Sequence, residues 1–205
     1  MILNKLKQIL QFPGIYRCFT TLISKNCGLR LVTEVIKPEP EASILDIGCG
    51  PADIAAFLPS TVKYTGFDIS HQYIAAAKAR FGNRGNFICA PVNSFSVVNS
   101  FDIVIAIGVL HHLEDDEAIR LCSLANLALK PGGRFITMDG CSEDNLHPIA
   151  TWMLKHDRGD FIRTKDDYIK IASHNFPDIQ AEIVRDMLKV PYSHCIMQAT
   201  KKKSD

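Results

Sequence analysis

Asp46-Ile47-Gly48-Cys49-Gly50 is the segment of this sequence best suited to chemistry. A short apolar run, Ser43–Ile47, reads as a strand and places the two glycines at its carboxyl end. In an open parallel sheet, ligands bind beyond that end of the strands. Glycines there let the backbone turn tightly and let a ligand approach where a Cβ would block it. A G-x-G by itself is also what a plain strand-to-helix turn requires. Asp68 supplies a second part: it closes another expected strand, 62–67, about twenty residues after the glycines. A carboxylate so placed can accept both hydroxyls of a ribose, so the two features together predict a site for an adenosine-containing ligand.

Two such ligands compete for the site. Dinucleotide binding wants G-x-G-x-x-G, whose third glycine permits close helix packing and whose helix N-terminus receives the pyrophosphate. Here the series runs Gly48-Cys49-Gly50-Pro51-Ala52-Asp53, so a carboxylate stands at the third glycine position. With Asp46 just before the loop, the segment carries two negative charges. These oppose a pyrophosphate and suit a cationic sulfonium with its ammonium group. The charge pattern therefore favours S-adenosylmethionine.

Four segments then carry a family resemblance. Ile44-Leu45-Asp46-Ile47-Gly48-Cys49-Gly50 resembles the first signature of the class I S-adenosylmethionine-dependent methyltransferases, and Tyr64-Thr65-Gly66-Phe67-Asp68-Ile69-Ser70 their ribose-binding element. Phe101-Asp102-Ile103-Val104 through Val109-Leu110-His111-His112-Leu113 is similar to their fourth-strand region, and Leu129-Lys130-Pro131-Gly132-Gly133-Arg134 to the turn into the fifth. The resemblance implies that the Gly48-Cys49-Gly50 backbone cradles the methionine portion, with Asp46 organising the loop and Asp53 assisting it. It implies further that Asp68 holds the ribose, that Ile69 packs on the adenine, and that Ile107 and Gly108 line the cofactor near its sulfonium end. The family often has an acid after the third strand, but Cys89-Ala90-Pro91-Val92-Asn93 has none, which leaves adenine recognition to backbone groups or Asn93. Tyr16 is the candidate for an N-terminal segment laid over the cofactor. No metal is implied.

Methyl transfer from a sulfonium needs proximity, alignment and exclusion of water, and a general base only where an acceptor hydroxyl must lose its proton. His111 and His112 fall near the expected mouth of the site, although paired histidines there also serve as a turn element. His147 and His194 are further candidates on the acceptor side. The acceptor pocket is expected under the N-terminal helices and the segment after Asp139, which holds Trp152, Met153, Arg158, Phe161, Arg163 and Tyr168. Such a mixture suits a small-molecule, lipid or saccharide acceptor, and equally the segment's own core. Ile107-Gly108-Val109-Leu110 stands where amino-methylating enzymes of DNA bases or glutamine carry Asn/Asp-Pro-Pro-aromatic.

The elements that must position these residues alternate. Strands are expected at 43–47, 62–67, 86–90, 101–107 and 134–138, with helices at 52–58, from Ser70 to about Phe81, and from Glu114 to the Pro131-Gly132-Gly133 turn. The reading is α/β: a Rossmann-like, seven-stranded, mostly parallel sheet with helices on both faces. Two late runs, 179–188 and 194–200, complete it as a terminal antiparallel hairpin. One domain is expected, divided into an N-terminal helical cap (1–40), the cofactor-binding core (43–139), a helical insert (141–176, with helices near 146–156 and 165–174) and the hairpin (178–200). With 23 basic and 22 acidic residues in 205, the chain lacks the electrostatic footprint of a nucleic-acid binder. The Lys201-Lys202-Lys203 run reads as a solvated, frayed tail. Seven cysteines without a CxxC pair argue against a metal finger or a disulfide framework and for a reducing, cytoplasmic setting. No apolar run is long enough to span a bilayer, and the amphipathic first residues read as a helix packed on the body. A nicotinamide-dependent oxidoreductase and a non-catalytic methyltransferase-like scaffold are the rival readings.

Overall fold

The computed structural model describes residues 26–91, 97–144, 146–155 and 159–203. Tyr16, Asn93, Arg158, the side chain of Trp152 and the expected first helix lie outside the described residues. The strands are β1 (Ser43–Ile47), β2 (Lys63–Asp68), β3 (Gly85–Cys89), β4 (Phe101–Ile107), β5 (Leu129–Gly140), β6 (Asp178–Val184) and β7 (His194–Thr200). They form one seven-stranded sheet in the order β3-β2-β1-β4-β5-β7-β6. β1 to β5 pair in parallel, whereas β7 runs antiparallel to both β5 and β6. The order reverses between β1 and β4, the crevice where such sheets bind ligands.

Around the sheet lie α1 (Cys27–Arg30), which continues as a π-wound turn over Leu31–Ile36, then α2 (His71–Phe81), α3 (Asp115–Ala128), α4 (Pro148–Lys155) and α5 (Lys165–Ser173). One core joins Leu45, Ile47, Val104 and Ala106 to α3 and α5. The other joins Ile44, Ile103, Ile105 and Ile136 to α2 and the π-wound turn. Adjacent residues of β1 and β4 thus feed opposite cores, which is why both strands are nearly all apolar. Arg134 of β5 ties the π-wound turn down by donating to the carbonyls of Val35 and Ile36.

Several starts follow local signals in the sequence. Ser70 caps α2 through a bond from the Tyr73 N–H, and Asp115, Asp116 and Glu117 fill the first turn of α3 at the positive end of its dipole. Thr164 and Asp167 form a reciprocal capping box on α5. Other expectations change. The helix foreseen at 52–58 is a single 3₁₀ turn, Asp53–Ala56, since Pro59 leaves too short a run to repay helix nucleation. Pro131-Gly132-Gly133 does not precede β5. It lies within it, as an irregularity between the pairs Phe101–Leu129 and Ile103–Arg134, with Gly132 at φ 78°. α5 is no polar appendage: Tyr168, Ile171 and Ala172 belong to the main core. Nor is the lysine run all frayed, because Lys201 donates to Asn99 Oδ1 and to the carbonyls of Asn126 and Leu129 at 2.7–2.8 Å.

Candidate cofactor site

The turn after β1 has positive φ at every second residue: Gly48 at 69°, Gly50 at 53° and Ala52 at 57°. Three contacts with the end of β2 hold it. The N–H groups of Gly48 and Cys49 both donate to the Phe67 carbonyl, at 2.9 and 3.0 Å, and the Gly50 N–H donates to Asp68 Oδ2 at 2.9 Å. The Ser70 N–H donates to Asp68 Oδ1 at 2.8 Å. Each oxygen of Asp68 therefore accepts one backbone bond and keeps a lone pair for another donor. The carboxylate is fixed by the loop it serves.

The two glycines do different work. A Cβ on Gly48 would come 2.8 Å from Val109 Cγ2, so this residue lets the β1 turn lie against the turn after β4. A Cβ on Gly50 would meet nothing within 4 Å, which leaves the loop facing open space there. Gly108, at φ 69°, is almost as open, its nearest neighbour being His111 Cε1 at 3.7 Å. Ile69, beside Asp68, is 72% exposed, unusual for a large apolar side chain and suited to a flat ring. Gly48, Gly50, Asp68, Ile69, Ile107 and Gly108 thus lie along the carboxyl ends of β1, β2 and β4. The cradle that a Cβ would fill, with carboxylates beside it, fits S-adenosylmethionine.

Asp46 takes a place beneath the loop. It is 3% exposed and accepts from the Tyr64 hydroxyl at 2.6 Å. Burial pushes its carboxyl up to about 7, against the Tyr64 hydrogen bond and together with the charge of Asp68. Cys49 turns its side chain inward, where a Cβ on Gly66 would come 2.9 Å from its sulfur. Its backbone alone is left to face a ligand, and burial pushes its thiol up. Asp53 departs from expectation, since its carboxylate pairs with Arg80 of α2 at 2.5 Å, and Arg80 also donates to the Pro51 carbonyl at 3.2 Å. Asp53 therefore staples the loop to α2. Its charge is already compensated and offers a cationic ligand little.

On the acceptor side, His111 is buried and His112 exposed, with ring centroids 4.2 Å apart. His111 Nδ1 is 2.8 Å from Asp139 Oδ1, an oxygen that also accepts from the His111 backbone N–H at 3.2 Å. Asp139 is a residue the sequence reading missed. The available signal was a single acid closing the apolar run Arg134–Met138. Arg163 and Tyr168 do not line a pocket. Arg163 is buried and donates to the carbonyls of Leu110, Leu113 and Phe161 and to Asp115, pinning the 159–163 segment to the 110–113 turn. Tyr168 is in the core, its hydroxyl donating to the Gly140 carbonyl. His194 is buried at the start of β7 with its ring 4.7 Å from that of Tyr192, and the His147 ring accepts from its own neighbourhood, the Ile149 N–H. A depression of about 380 Å³ lined by Glu39, Glu41, Asp102, Lys130 and Arg134 lies at the amino ends of β1, β4 and β5, the wrong end of the sheet for these residues.

Residues 44–133 match the family described as "Methyltransferase domain". The matched stretch runs from β1 to the irregularity within β5, and so takes in the turn after β1 and the carboxyl ends of β2 and β4. Among curated relatives, an O-methyltransferase of Pyrenophora dematioidea is 32% identical over 141 residues, 60% of this chain and 51% of that protein. A ubiquinone/menaquinone biosynthesis C-methyltransferase of Geotalea daltonii is 31% identical over 121 residues, 54% of this chain and 50% of that one. The chain thus spans about half the length of these curated relatives. Among solved structures, phosphoethanolamine N-methyltransferase 2 of Haemonchus contortus, in complex with S-adenosyl-L-methionine, superposes with a TM-score of 0.72. At 18% identity, covering 87% of this chain and 53% of that one, it speaks for the fold alone. No helix among the described residues is long and apolar enough to cross a membrane.

Proposed function

We propose that this chain binds S-adenosylmethionine in the cradle formed by the β1 and β4 turns and transfers its methyl group to a small-molecule, lipid or saccharide acceptor. The observation that carries the reading is the open face at Gly50 and Gly108, with Asp68 bonded to the Gly50 N–H and Asp46 buried beneath the loop. Carboxylates around a backbone cradle suit a sulfonium and an ammonium and oppose a pyrophosphate. The single 3₁₀ turn after the loop also offers no extended helix dipole to a phosphate. When bound, S-adenosylmethionine supplies an electrophilic methyl group on a good leaving group.

In this reading Asp68 accepts from the ribose hydroxyls while its backbone bonds keep it aimed, and Ile69 packs on the adenine. The Gly48-Cys49-Gly50 backbone surrounds the methionine portion, and the buried Asp46 sets a negative potential beneath it. Ile107 and Gly108 line the reacting end. Asn93 and Tyr16 remain proposed contacts of the adenine and of a covering segment. A reducing, cytoplasmic setting belongs to the same proposal, supported by the free thiols of Cys49, Cys122, Cys141 and Cys195 inside the core.

The three relatives are named for oxygen, carbon and nitrogen acceptors, so the acceptor atom is a matter for assay. The test is release of S-adenosylhomocysteine from S-adenosylmethionine in the presence of metabolite, lipid and saccharide fractions of a cell extract. Turnover above a heat-inactivated control in one fraction assigns the acceptor class. Turnover in none refutes the enzymatic reading and leaves the scaffold.

A further inference from the structure

Beneath the loop, Tyr64 of β2 is packed so that its hydroxyl serves Asp46. The hydroxyl donates to Asp46 Oδ2 at 2.6 Å, and both residues are buried. Asp46 pairs with Gly66 in the parallel ladder, so Tyr64 stands on the same face, two residues earlier on its strand. Gly66 gives the ring its room: a Cβ there would come 3.0 Å from Tyr64 Cε1 and 2.9 Å from the sulfur of Cys49. A Cβ on Gly85 would come 2.9 Å from Tyr64 Cδ1, and the Phe87 ring lies 5.8 Å from that of Tyr64 between centroids. Two glycines and an aromatic ring hold the phenol in place.

A phenol buried this far keeps its proton, so Tyr64 is the donor and favours the ionised carboxyl, against the burial that favours the neutral one. The charge of Asp68, at the end of β2, also opposes ionisation of Asp46. Cys49 faces the pair from the loop and holds its proton, while Asp53, which acts on Tyr64, is paired with Arg80 of α2. The β4 residue beside Asp46 is Ile105. Tyr64 therefore sustains the charge on Asp46 and Asp68 works against it. Asp68 is bonded to the N–H of Gly50, the residue with open space before it. A charge on that side of the loop is felt at Asp46, and a cation there acts in the opposite sense to Asp68.

Resting on the methyltransferase reading, we infer that Tyr64 is a positioning residue which, by holding Asp46 as a carboxylate, makes the site favour the sulfonium ligand over the neutral thioether left after transfer. Transfer removes one positive charge from the ligand: the acceptor's lone pair takes the methyl group, and the electron pair of the broken S–C bond stays on sulfur. An ionised Asp46 thus holds S-adenosylmethionine more firmly than S-adenosylhomocysteine, and the spent cofactor leaves more readily than the fresh one.

The test is calorimetric titration of the full chain with S-adenosylmethionine and with S-adenosylhomocysteine between about pH 5 and about pH 8, the window in which Asp46 changes charge. The ratio of the two affinities cancels what the ligands share, the ribose and adenine contacts included. As pH rises, that ratio is expected to move in favour of S-adenosylmethionine by about fivefold, the scale of one pair of unit charges in water-like surroundings. Asp46→Asn is expected to flatten the profile. Tyr64→Phe keeps the ring and its packing and is expected to displace the profile to higher pH, since a carboxyl without its donor takes a proton more readily. A wild-type ratio that does not change with pH, or a Tyr64→Phe profile that coincides with the wild type, overturns the inference and leaves the cofactor site standing. Failure of both ligands to bind overturns the methyltransferase reading, and this inference with it. Should Tyr64→Phe not fold, the wild-type and Asp46→Asn profiles decide.

Discussion

Replacing Asp46 by asparagine tests whether the protein stores a buried charge beneath its cofactor loop. The carboxyl is 3% exposed and is pushed by burial from an ordinary 3.8 up to about 7. A carboxyl raised in the folded state holds its proton there after the unfolded chain has released it. Folding stability therefore falls as pH rises between about 4 and about 7, and the penalty is complete above that window. Worked through linkage, this one group makes the protein about 2.5 kcal/mol less stable at pH 8 than at pH 5, as an order of magnitude. The amide that replaces the carboxyl would still accept from the Tyr64 hydroxyl and carries no charge. Urea unfolding of both proteins at the two pH values checks it, because the other titrating groups cancel in the difference. The variant is expected to gain on the wild type at pH 8 and to approach it at pH 5. An unchanged difference between the two proteins across that range would refute the buried charge. The same substitution is expected to weaken S-adenosylmethionine binding at pH 8, as a stabilising charge is removed from beneath a cationic ligand.

Other substitutions probe the supports of the site. Asp68→Ala should weaken S-adenosylhomocysteine binding by about 1–3 kcal/mol, the scale of lost hydrogen bonds to a charged group; unchanged affinity by calorimetry in a folded variant would remove Asp68 from the ribose. Gly159→Ala places a methyl group 2.0 Å from His111 Cδ2, and should displace the ring and lower the melting temperature. An unaltered His111 spectrum in that variant would show that the segment is not packed as described. Arg163→Leu should cost about 1–3 kcal/mol for the Leu113 carbonyl that loses its guanidinium donor, read by urea unfolding. A loss within about 0.5 kcal/mol would mark the arginine as dispensable.

Much of this architecture was legible because local chemistry and global position agree. Phe101–Ile107 forms a strand with the bounds its apolar run suggests, and Ser70 caps the helix it precedes. The turn at Gly48–Gly50 was readable since positive φ and open space are what glycine is for. What escaped the sequence depends on contacts distant along the chain. Asp53 looked like part of the loop's charge until Arg80, 27 residues on, took it. Tyr168 and Arg163 looked like pocket residues in a polar stretch. They serve the core and the 110–113 turn instead, 28 to 53 residues from their partners. Asp139 was visible only as the acid that ends an apolar run, and its bond to His111 depends on the register between β4 and β5.

If the loop at Gly50 faces a cofactor, a side chain there must obstruct binding. Isothermal titration of S-adenosylmethionine, S-adenosylhomocysteine and NAD into the wild-type protein and Gly50→Ala tests it most directly, since a Cβ at that position meets no protein atom within 4 Å. The wild type is expected to bind the first two ligands and not NAD, and the folded variant to lose at least about tenfold in affinity, roughly 1.4 kcal/mol. Binding of NAD alone, or equal affinity of the two proteins for S-adenosylmethionine, would contradict it.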